Sequence, residues 1–280
     1  MSTEVFRVTR DLPPFQGVAA NSTARVELPI GRRYHSVTLA IATLANVGEM
    51  RVIANGQTIQ RYTAAQLNAL NQFDGMTAAG ATTSLLRIMF DRYNLLSAAF
   101  EMGTALNTGI ADASGVAITS LAIECDIGGT TTTIAGTSET SYVDPSIGQR
   151  RHWVRFRSTL VFAGIVTGEN QLNDFPRQSQ REIEIDRISL IPSANDISAF
   201  KVEKNNEILM ERSKALNERI QNDGNRRSPQ SGYIILDRTE RGSGGNGIDM
   251  TDASDFRVRV TATGAMTATC IYETLGFLQG

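Results

Sequence analysis

Two histidines, His35 and His152, are the first residues to consider for catalysis or zinc binding, and they lie in different halves of the chain. Neither belongs to an HxH, HExxH or HxxE arrangement, so a zinc site would need ligands from distant parts of the chain. The sequence also contains no CxxC pair and no GxSxG turn. We therefore interpret both histidines as surface or strand-end residues, and we assign no catalytic, cofactor-binding or metal-binding residue.

Two segments near the C-terminal end resemble ligand-binding loops in part. Asp249, Asp252 and Asp255 have a spacing that could present oxygens to calcium, but they do not match the EF-hand pattern. Short Asp-rich turns usually bind their own backbone, and we favour that interpretation. Residues 241–247 (RGSGGNG) resemble a phosphate-binding loop but lack the Lys-Ser/Thr ending and a following helix, which indicates a surface loop.

Residues 150–157 (RRHWVRFR) form a basic and aromatic cluster of the kind that can stack on nucleic-acid bases. Its members Arg151, Trp153, Arg155 and Arg157 alternate with His152, Val154 and Phe156, as on the outward face of a strand. Arg and Trp are typical of subunit contacts, so the pattern favours an interface or a solvated face. The formal net charge of −2 also argues against a dedicated nucleic-acid-binding protein. A carboxylate pair for glycoside hydrolysis stays open, because its separation is a three-dimensional property.

Composition indicates an ordinary folded protein with 41% hydrophobic and 20% charged residues. The longest uncharged apolar stretch, residues 37–47, has about half of the ~20 residues that cross a bilayer, and the first residues lack the apolar core of a signal peptide. Cys125 and Cys270 each fall on the apolar side of a predicted strand, as buried thiols in a reducing compartment would. We also interpret them as equivalent positions in the two halves of the chain.

A faint internal repeat organises the sequence at a spacing of about 150 residues. Residues 50–71 (MRVIANGQTIQRYTAAQLNALN) align with residues 200–221 (FKVEKNNEILMERSKALNERIQ). Each copy predicts a strand, a turn at Asn55-Gly56 or Asn205-Asn206, a second strand, and a short helix that starts at Thr63 or Ser213. Gln66 completes a capping box in the first copy only.

Alternating apolar and polar residues predict about eight short strands in each half, including residues 24–30, 95–102, 116–127 and 255–262. The sequence therefore predicts an all-β protein of two tandem eight-stranded jelly rolls, with short helices in the loops between strands. We expect a first jelly roll at residues 1–135, a Gly-, Thr- and Ser-rich linker at 136–150, and a second jelly roll at 151–280.

Several segments, in the same order along the chain, resemble the major capsid proteins of corticoviruses, which are tailless icosahedral bacteriophages with an internal membrane. They are residues 18–39 (VAANSTARVELPIGRRYHSVTL), 50–63 (MRVIANGQTIQRYT), 153–162 (WVRFRSTLVF), 173–178 (NDFPRQ), 181–191 (REIEIDRISLI) and 267–280 (TATCIYETLGFLQG). The similarity is diffuse but collinear over nearly the whole chain. It is weakest in the predicted linker and around Gly244.

The resemblance implies a structural, non-enzymatic protein of the virion capsid, made in the host cytoplasm. It implies homotrimeric, pseudo-hexagonal capsomers that tile an icosahedral shell over an internal membrane. The partners would be other copies of the chain, neighbouring capsomers, and penton or other minor virion proteins. The chain would lie against the membrane without spanning it and bind no specific nucleic acid. Calcium is associated with such shells, but the resemblance assigns no ligands in this sequence.

Two other function classes remain as alternatives at this point. A tandem β-sandwich spike that binds a receptor or carbohydrate would need exposed aromatic platforms, whereas this chain has one Trp. An enzyme on a jelly-roll scaffold, such as a cupin or a glycoside hydrolase, would need converging histidines or a carboxylate pair. Two histidines are too few for the cupin version.

Overall fold

The computed structural model describes residues 6–80, 84–93, 95–179, 181–194, 196–222, 224 and 226–279. Within them the helices are α1 (Ala64–Phe73), α2 (Ala98–Glu101) and α3 (Lys214–Gln221), with short 3-10 turns at Leu44–Asn46, Met102–Thr104 and Pro145–Gln149. The strands are β1 (Val8–Asp11), β2 (Thr23–Glu27), β3 (Arg33–Ile41), β4 (Val47–Ala54), β5 (Gln57–Thr63), β6 (Ser84–Met89), β7 (Leu106–Asn107), β8 (Leu121–Ile127), β9 (Ile134–Ser141), β10 (Trp153–Ile165), β11 (Gly168–Leu172), β12 (Glu182–Pro192), β13 (Ile197–Lys204), β14 (Glu207–Ser213), β15 (Ile234–Asp237), β16 (Ile248–Asp249), β17 (Phe256–Ala262) and β18 (Met266–Phe277).

The chain forms two compact units, which are described separately. Unit 1 contains Met1–Gln72, Met76–Phe156 and Phe277–Gly280, and unit 2 contains Phe73–Gly75 and Arg157–Gly276. The chain passes from the first unit to the second inside β10. Phe73, the last residue of α1, and the two residues after it also belong to unit 2, which no local sequence pattern indicates.

The two units have the same strand order. In unit 1, one sheet runs β1-β9-β3-β6 with β7 beside β3, and the other runs β5-β4-β8-β2. In unit 2, one sheet runs β10-β18-β12-β15 with β16 beside β12, and the other runs β14-β13-β17-β11. Among the described residues, every strand of unit 1 thus has its counterpart nine strands later in the chain. The predicted all-β fold of two tandem jelly rolls is confirmed, with one additional two-residue strand in each.

The apolar core of each unit follows the alternation read from the sequence. In β2, Ala24 and Val26 are buried while Arg25 points to solvent. In β17, Phe256 and Val258 are buried in the same way. Full burial of a Val or Phe side chain stabilises a fold by about 1.5–3 kcal/mol, so period-two patterning decides which face of each sheet points inward.

The cysteines are buried as predicted, but they do not mark equivalent places. Cys125 lies in β8, whose counterpart is β17, whereas Cys270 lies in β18, whose counterpart is β9. Burial raises the pKa of the Cys125 thiol to about 12 and that of Cys270 further. Both thiols are therefore protonated and inert at neutral pH.

The segment predicted as a linker begins with a strand. Residues 134–141 form β9, which pairs with β1 and β3, and only residues 142–152 are free of strand structure. Its strand signal was weak because hydroxyl residues point inward: Ser138 and Thr140 are 4% and 2% exposed, and both donate to backbone carbonyls of β1. Gly136 belongs there because a Cβ would lie 2.9 Å from the carbonyl oxygen of Thr38.

Two further strand predictions were wrong, one entirely and one in part. Residues 95–102, predicted as a strand, contain the short helix α2 and the start of a 3-10 turn. Residues 116–127, predicted as one strand, form β8 only from Leu121 onward. Apolar runs this short do not separate helix from strand by periodicity alone.

The repeated hairpins are confirmed, and their asparagines also hold a neighbouring loop. Asn55 and Gly56 have φ of 50° and 75°, and Asn205 and Asn206 have φ of 50° and 66°. The Asn55 side chain accepts from the backbone N–H of Thr119 at 2.8 Å and donates to the Ala117 carbonyl at 2.7 Å.

Asn205 makes the same contacts in unit 2. Its Oδ1 accepts from the backbone N–H groups of Ser254 and Asp255 at 2.9 and 3.1 Å, and its Nδ2 donates to the Asp252 carbonyl at 3.2 Å. The turn residue therefore ties each hairpin to the loop that leads into the next strand of its sheet.

We expect Asn205→Ala to lower the free energy of unfolding by about 1–3 kcal/mol, because it removes these bonds and places alanine at positive φ. Urea denaturation followed by far-UV circular dichroism measures the change. Asn206→Gly is the matched control: glycine tolerates the positive φ of Asn206, so we expect its midpoint to stay close to that of the wild type. Equal stability of the two variants would contradict the role of the Asn205 amide.

The helix starts are also confirmed. Thr63 and Gln66 form the reciprocal capping box, with N–H to side-chain oxygen distances of 2.8 and 3.2 Å. Ser213 caps α3 through a bond from the Leu216 N–H at 3.2 Å.

Candidate functional site

His35 is the centre of a buried polar cluster in unit 1. Its Nδ1 lies 2.9 Å from Oδ2 of Asp91, and its Nε2 lies 2.8 Å from Oγ of Ser141. Arg7 pairs with the same Asp91 oxygen at 3.0 Å. The prediction of a surface or strand-end histidine was wrong. His35 lies in β3, a strand with neighbours on both sides, and is fully buried.

The cluster has the Ser–His–Asp connectivity of hydrolytic enzymes, but its burial gives it a structural role. His35 and Asp91 are 0% exposed and Ser141 is 5% exposed, so a substrate has no access to the hydroxyl. These bonds connect β3 with the end of β9 and with Asp91, so the cluster favours one arrangement of these segments. Sequence reasoning missed it because Asp91 and Ser141 are 56 and 106 residues away from His35.

His152 directly precedes β10, which agrees with a strand-end position, but it is buried rather than at the surface. Its Nε2 lies 2.9 Å from the Ala105 carbonyl oxygen, and its backbone N–H donates to Asp112 at 2.9 Å. Burial lowers the pKa of the His152 imidazole, so the ring is neutral at physiological pH.

The Asp-rich turn binds its own surroundings, as favoured from the sequence. Asp249 accepts from the N–H and hydroxyl of Thr251, which lowers the pKa of its carboxyl. Asp252 pairs with Lys204, and Asp255 pairs with Arg257. Across the described ranges, no group of three or more His, Cys, Asp or Glu is arranged to hold a metal ion. The carboxylates of this turn therefore do not fit a calcium site, and calcium binding stays a prediction without ligands.

The glycine-rich segment 241–247 is a loop between β15 and β16, and a strand rather than a helix follows it. The preceding Arg238 donates to the Asn246 carbonyl at 2.9 Å, so part of the loop is held by the chain itself. It lacks the helix N-terminus that a phosphate cradle requires.

The basic and aromatic cluster is not an outward strand face. Arg155 and Arg157 are 5% and 1% exposed, and Val154 and Phe156 between them are also buried. Arg155 donates to the Asp91 carbonyl at 3.0 Å. Strict alternation fails here because both faces of this part of β10 are covered, which a single sequence window does not show.

Unit 2 contains a buried cluster of charges, here called the ion cluster. It consists of three arginines and three carboxylates, each with a side chain no more than 3% exposed: Asp74, Arg157, Arg187, Arg227, Asp237 and Glu273. The two signs balance, which is the condition for burying charge at all.

Arg187 is the central member of the ion cluster. Its guanidinium lies 2.9 Å from Asp74, 3.2 Å from Asp237 and 3.4 Å from Glu273. Arg227 contacts Asp237 at 2.6 Å and Arg157 contacts Glu273 at 3.3 Å.

The opposite charges within the ion cluster keep its members ionised despite their burial. Burial alone would raise the pKa of Asp237, but Arg187 and Arg227 more than offset burial and hold that pKa far below its ordinary value. For Arg187, burial lowers the pKa and the three carboxylates raise it well above its ordinary value. The Phe73 ring lies 5.0 Å from the Arg187 guanidinium and so adds a cation–π contact.

The ion cluster holds the three-residue segment Phe73–Gly75 in unit 2. Besides the Asp74 pairs, the Ser228 N–H donates to the Phe73 carbonyl at 2.8 Å. The ion pairs of Arg187 in the ion cluster join residues that are 113, 86 and 50 positions apart in the sequence, so no local motif indicates the cluster.

The described helices are all too short and too polar to span a bilayer. Two cavities in unit 2, one lined by Ile185, Val202 and Leu236 and the other by Phe73, Asn217 and Tyr233, each have room for about one water molecule.

Comparison with known proteins agrees with this arrangement of two similar units and structural clusters. Residues 9–141 match the family model of the viral coat protein P2 N-terminal domain, and residues 154–278 match that of the P2 C-terminal domain. The chain belongs to the viral coat protein P2 family. Among curated protein sequences, none matches the chain significantly.

Solved structures show the same fold. The crystal structure of the major capsid protein P2 from bacteriophage PM2 is 18% identical, with a TM-score of 0.83 and coverage of 98% of both chains. A chain of the Sulfolobus turreted icosahedral virus is 10% identical, with a TM-score of 0.69 over 97% of this chain and 91% of that one. The Faustovirus major capsid protein is 11% identical, with a TM-score of 0.60 over 98% and 90%.

Family membership confirms the resemblance to corticovirus capsid proteins. The P2-family chain is a structural coat protein rather than an enzyme, its place is the capsid of the virion, and it assembles with other copies of itself. This agrees with a molecule whose buried polar clusters stabilise the fold instead of meeting a substrate.

Proposed function

We propose that this coat protein forms homotrimeric, pseudo-hexagonal capsomers that tile an icosahedral shell over an internal membrane. The observation that supports this most is the identical strand order of the two units. Three chains with two similar units each present six similar flanks around a threefold axis, and hexagonal tiles close a shell through repeated side contacts.

In this proposal the function is mechanical. Binding energy comes from large lateral surfaces between copies rather than from a pocket. Penton or other minor virion proteins would fill the fivefold positions, and one end of each capsomer would lie against the lipid without crossing it.

Size-exclusion chromatography with light scattering tests the capsomer directly. We expect a species of about three times the 30.4 kDa chain mass, or shell-like particles visible by electron microscopy. The mass should stay at three chains on dilution into the nanomolar range if the interface is of obligate size. A stable monomer at micromolar concentration would overturn the proposal.

A further inference from the structure

Helix α3 buries polar side chains and exposes apolar ones. Its buried side chains are the amides of Asn217 and Gln221, which donate to the Ile235 carbonyl at 2.9 and 2.7 Å. Leu216 and Ile220, one turn apart, are 50% and 39% exposed. A surface helix normally packs its apolar side inward, so this arrangement leaves an apolar stripe without a partner in the described chain.

The counterpart helix in unit 1 shows what the same element does when its apolar side is covered. In α1, Leu67 and Leu70 are fully buried. Leu70 aligns with Ile220 in the internal repeat, so one copy buries this position and the other exposes it. The difference is specific to unit 2 and is not a property of the fold.

Unit 1 carries an exposed aromatic patch, defined as Phe6, Phe100 and Tyr142, which are 73%, 51% and 80% exposed. Each aromatic residue is adjacent in sequence to a residue that is bonded to Asp91 or Arg92, either directly or through His35. Arg7 pairs with Asp91, Ser141 reaches Asp91 through His35, and the Glu101 carbonyl accepts from the Arg92 N–H at 2.9 Å. Phe6 and Tyr142 adjoin the paired ends of β1 and β9, and each of the three aromatic residues is one residue away from this polar network.

We propose that the α3 stripe, Leu216 and Ile220, with Arg219 beside it, packs against the aromatic patch of a second copy of this chain. The inference rests on the proposed trimer and names the surfaces that join its members. A closed threefold ring requires two different surfaces on each copy, and the stripe and the patch are such a pair. Arg219 is exposed beside the stripe, and a guanidinium over exposed Phe and Tyr rings adds cation–π attraction typical of interface anchors.

Cysteine cross-linking tests the contact in the full-length protein. We expect Tyr142→Cys combined with Ile220→Cys to give disulfide-linked dimers and trimers on a denaturing gel after mild oxidation of the assembled protein. Each single variant should stay unlinked. Cys125 and Cys270 are buried and protonated, so they do not compete. Disulfides form only between Cα atoms closer than about 7 Å, so linkage reports direct contact.

A charge placed in the stripe gives a second, independent measurement. We expect Leu216→Glu to weaken association of the chains at least tenfold, roughly the effect of losing one interface anchor, while far-UV circular dichroism stays unchanged. Val166→Glu is the matched control: Val166 is an apolar residue of unit 2, 57% exposed, in the turn between β10 and β11. It should associate like the wild type.

The outcomes separate this inference from the proposed function. If the wild type forms trimers but the double cysteine variant does not cross-link and Leu216→Glu associates normally, the contact is overturned while the trimer stands. Equal weakening by Val166→Glu would also overturn the assignment to the stripe. A monomeric wild type would instead overturn the proposed function itself.

Discussion

Replacing Arg187 by methionine is expected to lower the free energy of unfolding of unit 2 by about 3–5 kcal/mol, the usual cost of removing one partner from a buried ion pair. Methionine fills much of the volume of the arginine stem but leaves Asp74 and Glu273 with fewer partners in a dry environment. The loss of the cation–π contact with Phe73 adds to the effect. Chemical denaturation followed by far-UV circular dichroism measures it.

Arg259→Met is the matched control for this experiment. Arg259 pairs with Glu169 and Glu203 on an exposed sheet face of the same unit, where water screens the charges. We expect the denaturation midpoint of Arg259→Met to stay close to that of the wild type. If the two variants lose the same stability, the ion cluster contributes no more than a surface pair, and its proposed structural role is wrong.

A second large effect is expected from Asp237→Asn, and it should depend on pH. At pH 7 we expect a loss of about 3–5 kcal/mol, because Arg187 and Arg227 lose their shared carboxylate while both stay charged. The pKa of Asp237 is depressed in the folded protein, so its stabilisation is present above the unfolded value of about 4. That stabilisation is lost as the pH falls from there toward the folded pKa.

The difference in stability between wild type and Asp237→Asn should therefore narrow below about pH 4, because there the Asp237 carboxyl binds a proton in the unfolded chain, which favours unfolding of the wild type. Urea titrations at pH 7, 5, 4 and 3 give this difference directly. Glu211→Gln, at an exposed position in β14, serves as the control with a small difference at every pH. A gap between wild type and Asp237→Asn that stays constant from pH 7 to pH 3 would show that the Asp237 charge is not what stabilises unit 2.

These effects have a consequence for the shell. A coat protein must keep the shape of its units while copies of the chain assemble. A buried, balanced ion cluster that holds Phe73–Gly75 in unit 2 favours one packing arrangement over others, and the His35 cluster has the same role in unit 1. Disrupting either cluster should impair assembly because it destabilises the fold. Substitutions in the α3 stripe should impair assembly and leave the stability of the fold unchanged.

Local patterns were sufficient for much of the architecture. The repeat around Asn55 and Asn205, the capping box at Thr63 and the alternation in β2 and β17 predicted the duplicated all-β fold. Each of these signals acts over a few residues, through backbone φ, through helix N–H groups or through the two faces of a strand. The same locality explains the errors in β9 and α2, where hydroxyl residues point inward or an apolar run is short.

The sequence by itself thus determined the fold class, the duplication and the coat-protein resemblance. Only the tertiary structure decided that His35 and Arg157 are buried, that Asp74 belongs with Arg187, that the two cysteines are not equivalent and that α3 presents Leu216 outward. The physical reason is that these facts depend on which strands become neighbours across 50 to more than 100 residues. Partners at such separations are set by sheet order and burial, which leave no fixed spacing along the chain.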